Sequence, residues 1–323
     1  MATKKTYRVG FDLGGTKMMA AVFDADFEIV GRRRRKTKGQ QGAQAGLERI
    51  VQTIEQALDN AGVEPARLAS IGIGSPGPLD LNRGVILDLP NLGWQDVPLR
   101  ETVAKHFGCP AAVANDVDTG LFGEYRFGAA QGARCALGVF PGTGIGGGCV
   151  YDGRVMRGAV LSCLEIGHMN VVPNGQLCGC GRRGCLETVA SRLAIASAAA
   201  AAAYRGEAPH LFETTGADVA RIRSGVLTAA IAAGDEAVER IVRNAVEWLG
   251  AAIANVVNLL APDVVVLGGG LVEAMPELFV DGVREVLDER VMPSFVGSYE
   301  VRPAALGDDA TVRGAAALAA EAA

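Results

Sequence analysis

Val9-Gly10-Phe11-Asp12-Leu13-Gly14-Gly15-Thr16-Lys17 runs directly into a second apolar stretch, Met18 to Phe23. An apolar run that ends in an acid, passes through paired glycines and resumes as another apolar run reads as strand, turn, strand. Glycines let successive backbone N–H groups converge on an anion, so this turn suits a phosphate. Asp12, at the strand end, is placed to hold water on a Mg²⁺ ion, while Thr16 and Lys17 can donate to phosphate oxygens. A plain hairpin is the alternative for this segment taken alone.

Two further glycine turns follow strand-like runs: Gly142-Thr143-Gly144-Ile145-Gly146-Gly147-Gly148, and Gly268-Gly269-Gly270 after Val264-Val265-Val266-Leu267. Each glycine lowers stability relative to alanine unless its conformation is needed, so packing does not account for five in seven residues. The third turn can pass close to a nucleotide base or ribose. The near-even spacing of Gly14, Gly142 and Gly268 suits two related halves facing one cleft.

Two segments fit G-x-G-x-x-G, at Gly72 to Gly77 and at Gly142 to Gly147, but neither opens a helix. Pro76 and Pro78 obstruct the first, and Cys149-Val150-Tyr151 continues the second as strand. That argues against a dinucleotide-dependent oxidoreductase, and no G-x-x-x-x-G-K-[ST] string marks a P-loop.

Strands are expected at Tyr7 to Phe11, Met18 to Phe23, Ala69 to Ile73, Ala111 to Ala114, Cys135 to Phe140, Gly148 to Tyr151 and Val264 to Leu267. Helices are expected at Gly46 to Ala61, Pro98 to His106, Asp116 to Phe127, Leu186 to Tyr204 and Asp235 to Leu260. Hairpin turns at Asp24 to Glu28 and Asp152-Gly153 mix antiparallel pairs into this alternation, so the fold is α/β with mixed sheets. The run Arg32-Arg33-Arg34-Arg35-Lys36 reads as an edge or solvated ribbon and is assigned no function.

The chain has 323 residues, a length that suits two domains, with 49% hydrophobic and 21% charged residues. A net charge of −5 argues against nucleic acid or anionic membrane as a partner. No apolar leader and no membrane-length apolar run is present, so a cytoplasmic location is expected. Three of the seven cysteines crowd into Cys178, Cys180 and Cys185. Together with His168 they make a Cys₃His set that satisfies tetrahedral zinc with no open position, a structural site. The remaining four, Cys109, Cys135, Cys149 and Cys163, are expected to be buried small hydrophobes. With one ring nitrogen of His168 on zinc, the other is left for a ligand, and Glu165 and Glu187, which flank the knot, are either candidate acceptors for sugar hydroxyls or solvated or structural carboxylates. Asn115-Asp116 ends a strand and begins a helix; Asp116 either caps that helix or is the general base for an attacking hydroxyl.

In combination, Asp12 to Lys17, Ser75-Pro-Gly-Pro78, Asn91-Leu-Gly-Trp94, Asn115-Asp116, Gly142 to Gly148, Glu165-Ile-Gly-His168, Cys178 to Cys185 with Glu187, Gly268 to Gly270 and Gly314-Ala-Ala316 resemble the ROK family of sugar kinases and repressors. The resemblance covers almost the whole chain. It implies two actin-like ATPase (ribonuclease H-like) α/β domains with mixed sheets facing a central cleft, plus a small zinc knot at 165–187. The first would span 1–115 with the helix at 310–323 returning to it, and the second 116–309. It further implies ATP, Mg²⁺ and structural Zn²⁺, a sugar substrate, a homodimer, and Asp116 as catalytic base. Gly77, Asn91, Asn115, Glu165, His168 and Glu187 would bind the sugar. Asp12, Gly14, Gly15, Thr16, Lys17, Gly142, Thr143, Gly144, Gly268, Gly269 and Gly270 would bind the nucleotide. The Cys-Gly-Cys-Gly form of the knot makes glucose the leading acceptor, with N-acetylglucosamine or N-acetylmannosamine next.

Overall fold

The computed structural model describes residues 6–89 and 92–322. It divides into two compact units, one formed by Met1–Gly132, Gly148–Cys163 and Ala305–Ala323, the other by Ala133–Gly147 and Leu164–Ala304.

The first unit begins with β1 (Tyr7–Leu13), β2 (Lys17–Phe23) and β3 (Ile29–Lys36), an antiparallel meander, followed by α1 (Ala43–Ala61). Next come β4 (Leu68–Ser75), a small antiparallel sheet of β5 (Leu79–Asp80), β6 (Val85–Leu89) and β7 (Trp94–Val97), then α2 (Leu99–Phe107), β8 (Ala111–Asn115) and α3 (Asp116–Phe127). The main sheet has the order β3-β2-β1-β4-β8, with β4 and β8 parallel to β1. The arginine-rich strand is therefore the edge, as its charge pattern requires.

Successive residues of β2 point to opposite faces. Met18, Ala20 and Val22 join the core beneath α1, whereas Met19, Ala21 and Phe23 pack with Val312 and Ala316 of the C-terminal helix. Burial on both faces explains why this strand is apolar throughout. The helical spacing at Leu47, Ile50, Val51, Ile54 and Leu58 is realised as the buried face of α1, which stops at Gly62 in the left-handed region.

Beyond α3 lie β9 (Cys135–Pro141), β10 (Ile145–Tyr151) and β11 (Arg154–Val155). The second unit then adds α4 (Glu187–Ala190), α5 (Arg192–Tyr204), α6 (Pro209–Thr215), α7 (Ser224–Ala232), the long amphipathic α8 (Glu236–Leu260), β12 (Val264–Leu267), α9 (Gly270–Ala274), α10 (Pro276–Arg290) and β13 (Glu300–Pro303). The chain ends with α11 (Ala310–Ala322). The second sheet has the order β11-β10-β9-β12-β13, with β12 parallel to both β9 and β13. Numbered along the chain, both sheets read 3-2-1-4-5, so one plan is used twice. In that plan the turns after β1 and β9 are equivalent, while Gly268 to Gly270, at the end of β12, corresponds to Ser75 to Gly77 at the end of β4.

Two details depart from the sequence reading, and a third explains a feature noted in it. The expected helix Leu186 to Tyr204 is two helices, because Ser191 is extended and its hydroxyl accepts from Ala194 N–H at 3.2 Å, starting α5 afresh. The false fingerprint at Gly72 has a packing cause: a side chain there would collide with the Ala315 carbonyl of α11. Cys163 is half-buried, unlike Cys109, Cys135 and Cys149. Among the described residues no helix is long and apolar enough to cross a membrane.

Candidate active site

Because β1, β4 and β8 are parallel, their C-terminal ends lie along one edge, where α/β proteins collect their ligands. Register places Asp12 opposite Gly74, and Ser75 opposite Asn115. The edge therefore carries Asp12, the turn Gly14 to Lys17, Gly77 and the Asn115-Asp116 pair together. Gly15, Thr16 and Lys17 are exposed there.

Asn115, not Asp116, caps α3: its Oδ1 accepts from the Val117 and Asp118 N–H groups at 2.8 and 3.3 Å. The capping alternative for Asp116 is thereby taken by its neighbour. Asp116 is the first helical residue, and its Oδ1 accepts from Val117 N–H at 3.0 Å. A helix N-terminus stabilises the ionised carboxylate that a base needs.

Asp12 behaves differently. Burial, then the nearby Asp116 and Asp308 carboxylates, push its pKa up to about 7, against the opposing pull of Arg34. Asp308 went unnoticed in the sequence, and so did its partner. Arg34 donates to Asp308 at 2.6 Å and Arg32 to Asp309 at 3.2 Å, so alternate arginines of the edge strand pair with the turn that opens α11. That helix in turn packs against α3 with backbones almost touching, since a side chain at Gly314 would strike the Thr119 carbonyl. Glu124, fully buried on α3, accepts from the N–H groups of Ala129, Ala305 and Leu306 at 2.8 to 3.1 Å. The helix bearing Asp116 is fixed from several sides.

In the second unit, β9 and β12 are parallel neighbours, so their glycine turns, Gly142 to Gly144 and Gly268 to Gly270, emerge side by side. Gly269 has φ 84°, and a side chain there would press on the Pro141 carbonyl at 2.9 Å. Only glycine serves both demands. Gly142 N–H donates to Gly144 O at 2.8 Å, closing the second turn, while Gly142 O accepts from Arg192 N–H at 2.9 Å.

The donor atoms of His168, Cys178, Cys180 and Cys185 all lie within 4.8 Å of one another. His168 Nδ1 is 3.6 Å from Cys178 Sγ, and the Cys180 and Cys185 sulfurs are 3.6 Å apart. Tetrahedral zinc with bonds of about 2.3 Å to sulfur sets its ligands roughly 3.7 Å apart, so the set fits the ion. Burial and the adjacent thiols push Cys185 up to about 12, while the Arg182 backbone N–H lowers Cys180. A cation held among these four donors would instead favour their deprotonated forms.

Glu187 bridges the knot to the second glycine turn. Its Oε2 accepts from Ile145 N–H at 3.0 Å, and its Oε1 lies 3.7 Å from Cys178 Sγ. Glu165 and His168 are exposed. Leu164, just before Glu165, holds φ 59°, a left-handed conformation that non-glycine residues adopt at a cost. Asn91 lies outside the described residues.

Two sheets of one strand order, each with its candidate site residues at the ends of parallel strands, define the actin-like ATPase fold of sugar kinases. The ROK family model matches residues 8–322. The chain is 34% identical over 311 residues to a glucokinase of Thermotoga maritima, covering 96% of each. It is similar to the structure of a ROK family glucokinase from Streptomyces griseus in complex with glucose and AMPPNP, with TM-score 0.83 and 32% identity over 98% of this chain and 99% of that one. A ROK hexokinase from Thermus thermophilus matches with TM-score 0.83 and 35% identity, covering 98% of each. This chain belongs to the ROK family.

Proposed function

We propose that the chain is an ATP-dependent hexokinase that converts glucose to glucose 6-phosphate. The observation that carries this is the acid edge: Asp116 at the start of α3, relieved of capping by Asn115, beside Asp12 and the Gly14 turn. The 34% identity to a glucokinase and the likeness to a glucose complex support glucose as acceptor.

In this reading Asp116 accepts the proton of the sugar hydroxyl as its oxygen attacks the γ-phosphorus. The new O–P bond forms while the bond to the bridging oxygen breaks, and ADP leaves with that electron pair. Backbone N–H groups of Gly14, Gly15 and Gly144, with Thr16, Lys17 and Thr143, would receive phosphate oxygens, while Gly142 closes the second turn. Gly268 to Gly270 give the nucleoside a surface without side chains. Asp12 would hold the Mg²⁺ of the donor, which supplies charge neutralisation on the phosphates when bound. His168, Cys178, Cys180 and Cys185 would hold zinc as a structural ion, leaving His168 Nε2, with Glu165 and Glu187, for sugar hydroxyls. Asn115, Gly77 and Asn91 complete the proposed sugar contacts. A homodimer, the assembly implied by the family resemblance, is part of the same proposal.

The test is ADP release with MgATP over glucose, N-acetylglucosamine, N-acetylmannosamine, mannose and fructose, comparing kcat/KM. Glucose is expected to lead. A clear preference for an N-acetylhexosamine would transfer the reading to that substrate, and no turnover on any would overturn it.

A further inference from the structure

Beside the second glycine turn stands a pair of arginines that no part of the proposed reaction uses. Arg192 opens α5; its Nη2 donates to Thr143 Oγ1 at 2.8 Å and its Nη1 to the Ile222 carbonyl at 3.4 Å. Its backbone N–H holds the Gly142 carbonyl at 2.9 Å. Both side-chain partners are neutral, and a guanidinium has five N–H donors, so capacity remains. Arg223 is its electrostatic neighbour, exposed, and in no ion pair with an acid among the described residues.

Arg223 immediately precedes α7, whose first residue, Ser224, comes within 3.6 Å of the side-chain position of Gly270 in the third turn. Thr228 of α7 donates to the Ala274 carbonyl of α9 at 3.2 Å, tying that helix to the same turn. The arginines thus flank the two glycine turns, one at each. Several exposed arginines of the same unit instead meet acids: Arg205 with Glu207, Arg243 with Glu239, Arg290 with Glu247. Burial and then the nearby Arg223 charge disfavour the Arg192 cation, and a bound anion would offset both costs.

We propose that Arg192 and Arg223 form an anion clamp for the polyphosphate of the phosphoryl donor, with Arg192 also orienting the Thr143 hydroxyl. The inference rests on the donor reading above and adds to it two side chains and a charge role. Backbone N–H groups of a glycine turn bring only partial charges, whereas two guanidinia bring full ones, in a planar fork that matches phosphate oxygens.

The test pairs calorimetric titration of inorganic tripolyphosphate with steady-state kinetics on MgATP and glucose, using the full chain. Arg192→Gln should weaken tripolyphosphate about tenfold and raise the KM for MgATP by a similar factor, with the KM for glucose unchanged. Arg223→Gln should move both in the same direction by less, and Arg192→Lys should restore part of the loss. Unchanged tripolyphosphate affinity and MgATP KM in the double Gln variant overturn the clamp and leave the kinase reading standing. Arginine-dependent tripolyphosphate binding without sugar turnover keeps the clamp and removes the kinase reading. Should the double variant fail to fold, Arg223→Gln, altering only an exposed side chain, decides alone: no shift in either quantity overturns the pair.

Discussion

The edges of the two sheets make an instructive contrast. Both sheets follow one strand order, and both place their candidate site residues at the ends of parallel strands. The edge of the β1-β4-β8 sheet is loaded with carboxylates, Asp12 and Asp116, with Asp308 near by. At the β9-β12 edge stand glycines, flanked by guanidinia, with a Cys₃His knot tied to it through Glu187. The fold provides the position, and the loop sequences decide whether it handles protons and cations or anions.

The largest expected effect tests the acid edge. Asp116→Asn keeps the shape but removes the base, and kcat should fall by about 10²–10⁴ while glucose still binds. A variant with near-normal turnover would detach chemistry from this edge. Next comes the knot: Cys180→Ser should release zinc, read by elemental analysis, and weaken glucose binding by about 10–100-fold through disorder at His168. Zinc loss with normal glucose affinity would separate the knot from sugar binding.

A stability effect follows. Gly314→Ala forces α11 away from α3 against backbone atoms and should cost about 1–3 kcal/mol, measured as a lower denaturation midpoint. An unchanged midpoint would mean that the base-bearing helix is held less tightly than its contacts indicate.

The smallest effect sharpens the charge argument. The pKa of Asp12 is raised to about 7 in the fold, against an ordinary value of about 3.9 when unfolded. Between those values folding takes up a proton, so the apo protein should lose stability as pH rises from about 4 through 7. Asn at this position does not titrate, and the midpoint of Asp12→Asn relative to wild type should therefore climb between pH 5 and pH 8. A constant difference would contradict the raised value.

What the sequence revealed is local. Asp12 to Lys17, Gly142 to Gly148 and Cys178 to Cys185 each declare their chemistry over a few residues, because turns and tetrahedral ligation depend on short spacing. The alternation of β2 and the stripe of α1 were legible for the same reason. The family resemblance supplied the rest of the expected site. Pairings between distant segments were hidden: Arg34 with Asp308, Arg192 with Thr143, and Glu124 with the amides of Ala305 and Leu306. Nothing in a run of five basic residues says which of them will meet an acid hundreds of positions later. Only the edge-strand register and the return of α11 decide that.

The central claim is phosphoryl transfer from MgATP to a sugar hydroxyl, and ³¹P NMR of the wild-type protein with MgATP and glucose tests it most directly. The account predicts that ATP signals give way to ADP and glucose 6-phosphate in equal amounts. ATP left intact, or hydrolysed to inorganic phosphate without a phosphosugar signal, would contradict it.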